Sequence, residues 1–194
     1  MMEPILGTVG NYTPVVGMVD TDILLSRGGI INSSVMSVNN AIYGTGQNYI
    51  NNVIYGTNQD DLIVTGNSND TIFTAEGNNH VASGGGNDTI YTGSGNDYIN
   101  AGTGINTVWL AGGDDTVALE FAGITTINNF NVNQTKIDLL GIEASSATLI
   151  QDGQDTLVGL PHLAILARIK FVDVNTVAAN SVDIFGAEVG IFTA

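Results

Sequence analysis

The side chains in this chain that could do chemistry are carboxylates, and they are not scattered. From Gln47 to Ala118 an acid or its amide recurs every ninth residue: Asn52, Asp61, Asp70, Asn79, Asp88, Asp97, Asn106 and Asp115. Taken alone, Asp60-Asp61 and Asp114-Asp115 could suggest acid–base work, but both pairs keep the phase of the row. The Asn members could also stack as a hydrogen-bonded ladder with no metal. No GxSxG, HExxH, CxxC or P-loop pattern occurs. His80 stands at an outward strand position and His162 follows Pro161, so both read as surface residues rather than ligands.

The elements that must position this row follow from the same period. The blocks are QNYINNVIY, GTNQDDLIV, TGNSNDTIF, TAEGNNHVA, SGGGNDTIY, TGSGNDYIN, AGTGINTVW and LAGGDDTVA, without a gap. Position eight is Ile54, Ile63, Ile72, Val81, Ile90, Ile99, Val108 and Val117. Position four is Gly at Gly77, Gly86, Gly95, Gly104 and Gly113. Gly permits the sharp turn of the first half, and the β-branched and aromatic second half extends as a short strand. Two blocks make one coil with a turn on each side, and coils stack as parallel strands about 4.8 Å apart. Position eight points inward, and no block buries that residue alone, so the blocks stand together. Phe73, Tyr91 and Trp109 at position nine face outward and cover apolar surface along their row.

These blocks resemble the RTX (hemolysin-type) nonapeptide G-G-x-G-x-D-x-U-x. Ser83–Tyr91 and Thr92–Asn100 are close matches, whereas Gln47–Tyr55 and Thr74–Ala82 are degenerate. The resemblance implies an all-β protein built on a parallel β-roll, a β-solenoid, with Ca²⁺ held between turns on the same side. Position-six carboxylates and turn carbonyls would supply the hard oxygens that Ca²⁺ requires. Alternating blocks fall on alternate sides, which puts Asn52, Asp70, Asp88 and Asn106 on one side and Asp61, Asn79, Asp97 and Asp115 on the other. Asp70 with Asp88, and Asp97 with Asp115, are the all-Asp pairs and are expected to be the tightest sites. The mixed gaps lose one charge and are expected to be weaker or empty. The metal-binding set is thus Asp61, Asp70, Asp88, Asp97, Asp115, Asn79 and Asn106, with turn carbonyls at Gly86, Gly95, Gly104 and Gly113.

Composition agrees with an ion-binding role. Four Lys and Arg against 19 Asp and Glu give a formal charge of −15. No basic footprint exists for nucleic acid or for an anionic membrane surface. Without an ion, roll carboxylates would repel across adjacent coils. The chain has no Cys, so disulfides give no information on compartment. No run of 18 apolar residues suggests a transmembrane helix, and the start lacks the n- and h-regions of a Sec signal.

Three regions are expected within one continuous domain: an N-terminal cap over 1–39, the RTX β-roll over 40–118, and a C-terminal β-rich cap over 119–194. In the first, Val15-Val16 and Ile23–Leu25 read as strands and Arg27–Gly29 as a turn within an irregular cover. NAIYGTGQ at Asn40–Gln47 echoes NVIYGTNQ at Asn52–Gln59 with a three-residue insertion near Asn48–Ile50, so Asn40–Gly46 reads as a degenerate first coil. After the period ends, Ile124–Ile142 resembles the segment that continues the sheet in RTX proteins, with Phe130, Ile137, Asp138 and Leu139 in matching places. Lys136 stands where the family often has Asp, which argues against a metal there. Glu143–Ala147 reads as a helical turn, Asp152-Gly153 as a hairpin turn, and Thr148–Leu160, Leu163–Val172 and Ser181–Phe185 as strands.

The resemblance implies export by type I secretion through an uncleaved C-terminal signal, with which the ending VDIFGAEVGIFTA is compatible. The expected role is a non-enzymatic, calcium-binding structural protein of the cell surface or an extracellular layer. It would fold on Ca²⁺ and partner with itself as a homo-oligomer or fibre. Alternatives are a non-catalytic RTX module assisting a secreted enzyme, or an adhesin module for extracellular polysaccharide.

Overall fold

In the computed structural model the described residues are 5–6, 22–26, 29–32, 40–44, 51–161 and 164–191. Val15-Val16, Arg27-Gly28, the insertion near Asn48–Ile50 and His162 lie outside them. The strands before the repeats are β1 (Ile5–Leu6), β2 (Asp22–Ser26), β3 (Gly29–Asn32) and β4 (Asn40–Gly44). The repeats supply β5 (Asn52–Tyr55), β6 (Leu62–Val64), β7 (Thr71–Phe73), β8 (His80–Ala82) and β9 (Thr89–Tyr91). They continue with β10 (Tyr98–Asn100), β11 (Gly104–Trp109) and β12 (Thr116–Leu119). After them come β13 (Gly123–Asn128), β14 (Lys136–Leu139), β15 (Thr148–Asp152), β16 (Asp155–Leu160) and β17 (Ala164–Ile169). Helices α1 (Val174–Ala179) and α2 (Ser181–Phe185) and strand β18 (Gly190–Ile191) end the described chain.

From β2 to β15 the strands alternate between two sheets. One runs β1-β2-β4-β6-β8-β10-β12-β14 and the other β18-β15-β16-β17-β13-β11-β9-β7-β5-β3. Within the repeats every pairing is parallel and in phase, as in Ile72↔Ile90 and Ile90↔Val108 on one sheet and Val81↔Ile99 and Ile99↔Val117 on the other. The fold is therefore an all-β parallel solenoid. Position eight is its core: Ile54, Ile63, Ile72, Val81, Ile90, Ile99, Val108 and Val117 are all fully buried.

The solenoid extends past both ends of the exact repeat. Ile42, also fully buried, pairs with Ile63 and not with a residue eighteen later. That register absorbs three extra residues between two coils. Ahead of residue 40, β2 pairs in parallel with β4, β3 with β5 and β1 with β2. Strand Ile23–Leu25 is thus a member of the ladder, and the described strands of 1–39 extend the two sheets over the first repeats. At the other end Val108 pairs with Ile127 and Val117 with Ile137, so β13 and β14 add another coil with slightly longer turns. The nine-residue period disappears there because inserted residues bulge outward while the inward register is kept.

The roll closes with a different design. The hairpin β15–β16 turns at Gly153, with φ 63°, and β16 pairs antiparallel with β17, which rejoins the parallel sheet at β13. Ala144–Ser146 is a single 3₁₀ turn. Ser181–Phe185, expected as a strand, is helix α2. Asp173 caps α1 by accepting the Asn175 N–H, and Gly186 ends α2 with φ 75°. The buried residues Val174, Val177, Ser181, Ile184 and Phe185 repeat at helical spacing, which outweighed the local β-branched character. α2 packs against β14 and covers that end of its sheet.

A cationic knot fastens this cap. Buried Asp155 accepts from Lys170 Nζ at 2.8 Å, Arg168 Nη1 at 2.9 Å and the Phe171 N–H at 3.0 Å. Burial alone would raise its pKa, but Lys170, the Phe171 N–H and Arg168 together hold it down at about 2, from 3.8. A carboxyl depressed on folding stabilises above its unfolded pKa and loses that effect as pH falls through the folded value. Asp155→Asn should therefore cost about 1–3 kcal/mol near neutral pH. Melting curves should show the difference shrinking below pH 3.8 and vanishing near pH 2; a pH-independent difference would exclude this role.

Candidate metal centre

The turn geometry begins with glycine. Gly86, Gly95, Gly104 and Gly113 at position four have φ of 119°, 118°, 102° and 115°, a region L side chains avoid. A Cβ added at Gly95 would lie 2.1 Å from the carbonyl oxygen of Gly77, one coil below, and at Gly104 1.9 Å from that of Gly86. Neighbouring turns therefore touch backbone to backbone, and their carbonyls line the space between coils.

Position six lies just beyond, buried on every coil. From Asp70 on one side and Asn79 on the other, each side chain accepts the position-six N–H of the coil before. Asn52 donates to Asp70 Oδ1 at 2.7 Å, Asp70 to Asp88 Oδ1 at 2.8 Å, and Asp88 to Asn106 Oδ1 at 2.9 Å. On the other side Asp61 donates to Asn79 Oδ1 at 2.8 Å, Asn79 to Asp97 Oδ1 at 2.7 Å, and Asp97 to Asp115 Oδ1 at 3.0 Å. The structure thus brings the residues together in the two rows expected from the spacing. Gly86 and Gly104 fall in the turns of the first row, and Gly95 and Gly113 in those of the second.

The second oxygen separates Asp from Asn. Oδ2 of Asp70, Asp88 and Asp97 is buried with no hydrogen-bond partner, as is Oδ1 of Asn52 at the start of the first row. At Asn79 and Asn106 the amide nitrogen fills the space. Asn79 Nδ2 donates to the carbonyls of Glu76 and Gly77 at 3.2 and 3.1 Å, and Asn106 Nδ2 to Gly102 at 3.2 Å. Asn52 Nδ2 donates to Asp70 Oδ1 at 2.8 Å. An Asn turn therefore carries its own donor, whereas an Asp turn sets carboxylate oxygen beside carbonyl oxygen with no donor between them. Asp61 is a different case, because Thr57 donates to it through N–H at 2.7 Å and Oγ1 at 3.1 Å.

Electrostatics follows this division. Burial, opposed by the Asp70 N–H and Ser83 and reinforced by the Asp70 charge, pushes Asp88 up to about 7. Burial, opposed by the Asn79 N–H and reinforced by Asp115, likewise pushes Asp97 up to about 7. Burial also raises Asp115. Buried carboxylates with one oxygen left without a donor, facing further carboxylates, favour a bound cation. Among the described residues no three His, Cys, Asp or Glu side chains form a cluster, so carbonyls must complete any coordination shell. Only a hard cation accepts such a mixed oxygen set, and the residues present fit Ca²⁺.

A second ladder lies outside the first, at position five. Asn78 and Asn96 N–H groups donate to Asp60 and Asn78 Oδ1 at 2.7 and 2.8 Å, and Asp114 N–H to Asn96 Oδ1 at 2.8 Å. Asn87 and Ile105 N–H groups do the same on the other side, to Asn69 and Asn87. The sequence signal was present, since position five is Asn or Asp in every block except the one with Ile105. His80 points outward, stacked on Tyr98 at 4.8 Å. Asp138 accepts from Tyr98 Oη at 2.9 Å.

A parallel roll whose turns align buried carboxylates and carbonyls is a calcium-binding β-solenoid. Residues 47–81, 73–108 and 82–117 match the family model of the RTX calcium-binding nonapeptide repeat (4 copies), so this stretch is a run of RTX repeats that bind Ca²⁺. The comparison with curated proteins gives no match.

Two substitutions separate the geometric and ionic requirements. Gly95→Ala should destabilise the calcium-loaded protein by on the order of 2 kcal/mol, whereas Gly112→Ala, with nothing within 4 Å of the new Cβ, should be nearly neutral in thermal melts. In isothermal titration, Asp88→Asn should weaken calcium binding on the order of tenfold or more. Asp61→Asn should cost less, because Thr57 already serves that carboxylate; equal losses would contradict the assignment.

Proposed function

We propose that this chain is a secreted, non-catalytic structural protein of the cell surface or an extracellular layer, folded by Ca²⁺ and associating with copies of itself. The observation that carries the reading is the buried, donor-less Oδ2 of Asp70, Asp88 and Asp97 between stacked coils. Asp70 with Asp88 and Asp97 with Asp115 hold the tightest ions. The carbonyls of Gly86, Gly95, Gly104 and Gly113 complete the sites, and Asp61, Asn79 and Asn106 line weaker ones.

RTX repeats are typical of secreted proteins, and no helix of the described residues is long and apolar enough to cross a membrane. In a compartment poor in free Ca²⁺, repulsion along the Asp rows keeps the repeats open and suited to passage through a narrow exporter. Outside, binding energy available only to the folded chain becomes folding energy.

Circular dichroism tests this directly. In chelator the β signal of the Asp70–Asp115 region should be largely lost, and Ca²⁺ should restore it cooperatively, with more than one ion bound per chain. Full β content in chelator would overturn the reading. Size-exclusion chromatography with and without Ca²⁺ should show assembly only in the loaded state.

A further inference from the structure

Across the repeats the outward strand positions of both sheets lack Asp, Glu, Lys and Arg, and those of the ten-stranded sheet also form a continuous aromatic row beside a threonine row. Across β5, β7, β9, β11 and β13 that sheet's outward positions seven and nine carry no charged residue. One row is threonine: Thr71, Thr89, Thr107 and Thr126 pair in register, each half-buried. The adjoining row is aromatic. Tyr55 and Phe73, then Phe73 and Tyr91, stack with centroids 4.9 Å apart and planes within 5° and 7°, and Tyr91 stacks on Trp109 at 6.3 Å. Tyr91 and Trp109 remain 37% and 41% exposed. The same strands present Ile105 and Ile124, 65% and 41% exposed and paired side by side. Beyond β13 the face ends in charge, at Arg168 of β17.

We propose that this face is the docking surface for a second copy of the chain. The two rolls lie side by side and parallel, related by a dyad along the roll axis, with the aromatic ladder of each on the threonine row of the other. The inference rests on the self-association read above and names its surface. Three observations select a second copy as the occupant. First, a chain of formal charge −15 approaches its own kind at least cost through a face without charge. Second, both rows repeat at the strand spacing, so two copies stay in register along the whole face. Third, the rows differ in size. A dyad along the axis sets large against small, which suits sheets packing about 10 Å apart. A dyad across the axis sets rings on rings and leaves the threonine rows facing a gap. The ladder also spends its ring faces on one another and offers edges, a poor platform for stacking a sugar. A surface this narrow is at the small end of specific interfaces, so the dimer forms at high concentration.

The test is sedimentation of full-length protein in Ca²⁺ over a wide concentration range, with circular dichroism and calcium titration as folding controls. Wild type should dimerise. Tyr91→Arg and Thr89→Arg should be folded, calcium-binding monomers, and His80→Lys, on the opposite sheet, should dimerise normally. The chain lacks Cys, so Thr89→Cys mixed with Tyr91→Cys should form the mixed disulfide faster than either forms its own. Association unchanged in both Arg variants would overturn this face while leaving self-association standing. Wild type monomeric at every concentration would overturn both. Preferred Tyr91→Cys homodimers would overturn the parallel dyad. A monomeric wild type retained on a polysaccharide matrix, with retention lost in Tyr91→Arg, would overturn the dimer and assign the face to a glycan.

Discussion

The constraint on which the roll depends is the contact between turns of successive coils. Parallel strands hold adjacent coils about 4.8 Å apart, which forces residues eighteen apart into direct contact. At position six, one oxygen is used to accept the N–H of the preceding coil, as between Asp70 and Asp88. The other oxygen of Asp70, Asp88 and Asp97 remains buried and without a donor. An unpaired buried anion is costly, and a row of them repels along its length. Among the described residues the fold therefore contains a demand for cations that neither the backbone nor Lys136, Arg168 and Lys170 meet.

The other features of the repeat follow from that close approach. Glycine at position four is required both by a positive φ and by the carbonyl of the coil below, which stands where a Cβ would go. The core is one residue wide per strand, the fully buried Ile or Val of position eight, so each coil takes its stability from its neighbours. Asn at position six relaxes the ionic demand by donating its amide to turn carbonyls, as Asn79 and Asn106 do. Turns with Asn79 and Asn106 therefore satisfy their own carbonyls, whereas those with Asp70, Asp88 and Asp97 leave an oxygen without a donor.

Beyond β14 the same sheet is finished by ordinary means. A hairpin, two short helices and the ion cluster around Asp155 bury Leu149, Val158, Ile169, Val177 and Ile184 against the last coil. The nearby cations Arg168 and Lys170 are both spent on Asp155, so they are not available to neutralise the turn carboxylates. The unpartnered carboxylate oxygens therefore belong to the repeats, and the C-terminal end has its own source of cohesion.

The sequence by itself determined the strand phase, the inward row and the sorting of position-six residues onto two sides. All three depend only on the fixed period, because a repeat of nine places every second block in contact whatever else the chain does. It also carried the helical spacing of Val174, Val177, Ser181 and Ile184, although the apolar–polar alternation of Val182, Asp183 and Ile184 obscured it. Tertiary structure alone decided three matters. It joined the described strands before residue 40, and β13 and β14, to the ladder, because strand register is kept where the nine-residue period in sequence is lost. It showed that Thr57 serves Asp61 while Asp88 and Asp97 keep an oxygen without a donor, a difference of hydrogen-bond geometry that residue type does not encode. And it stacked Tyr55, Phe73, Tyr91 and Trp109 face to face, because only the realised register brings rings eighteen residues apart to within 4.9 to 6.3 Å.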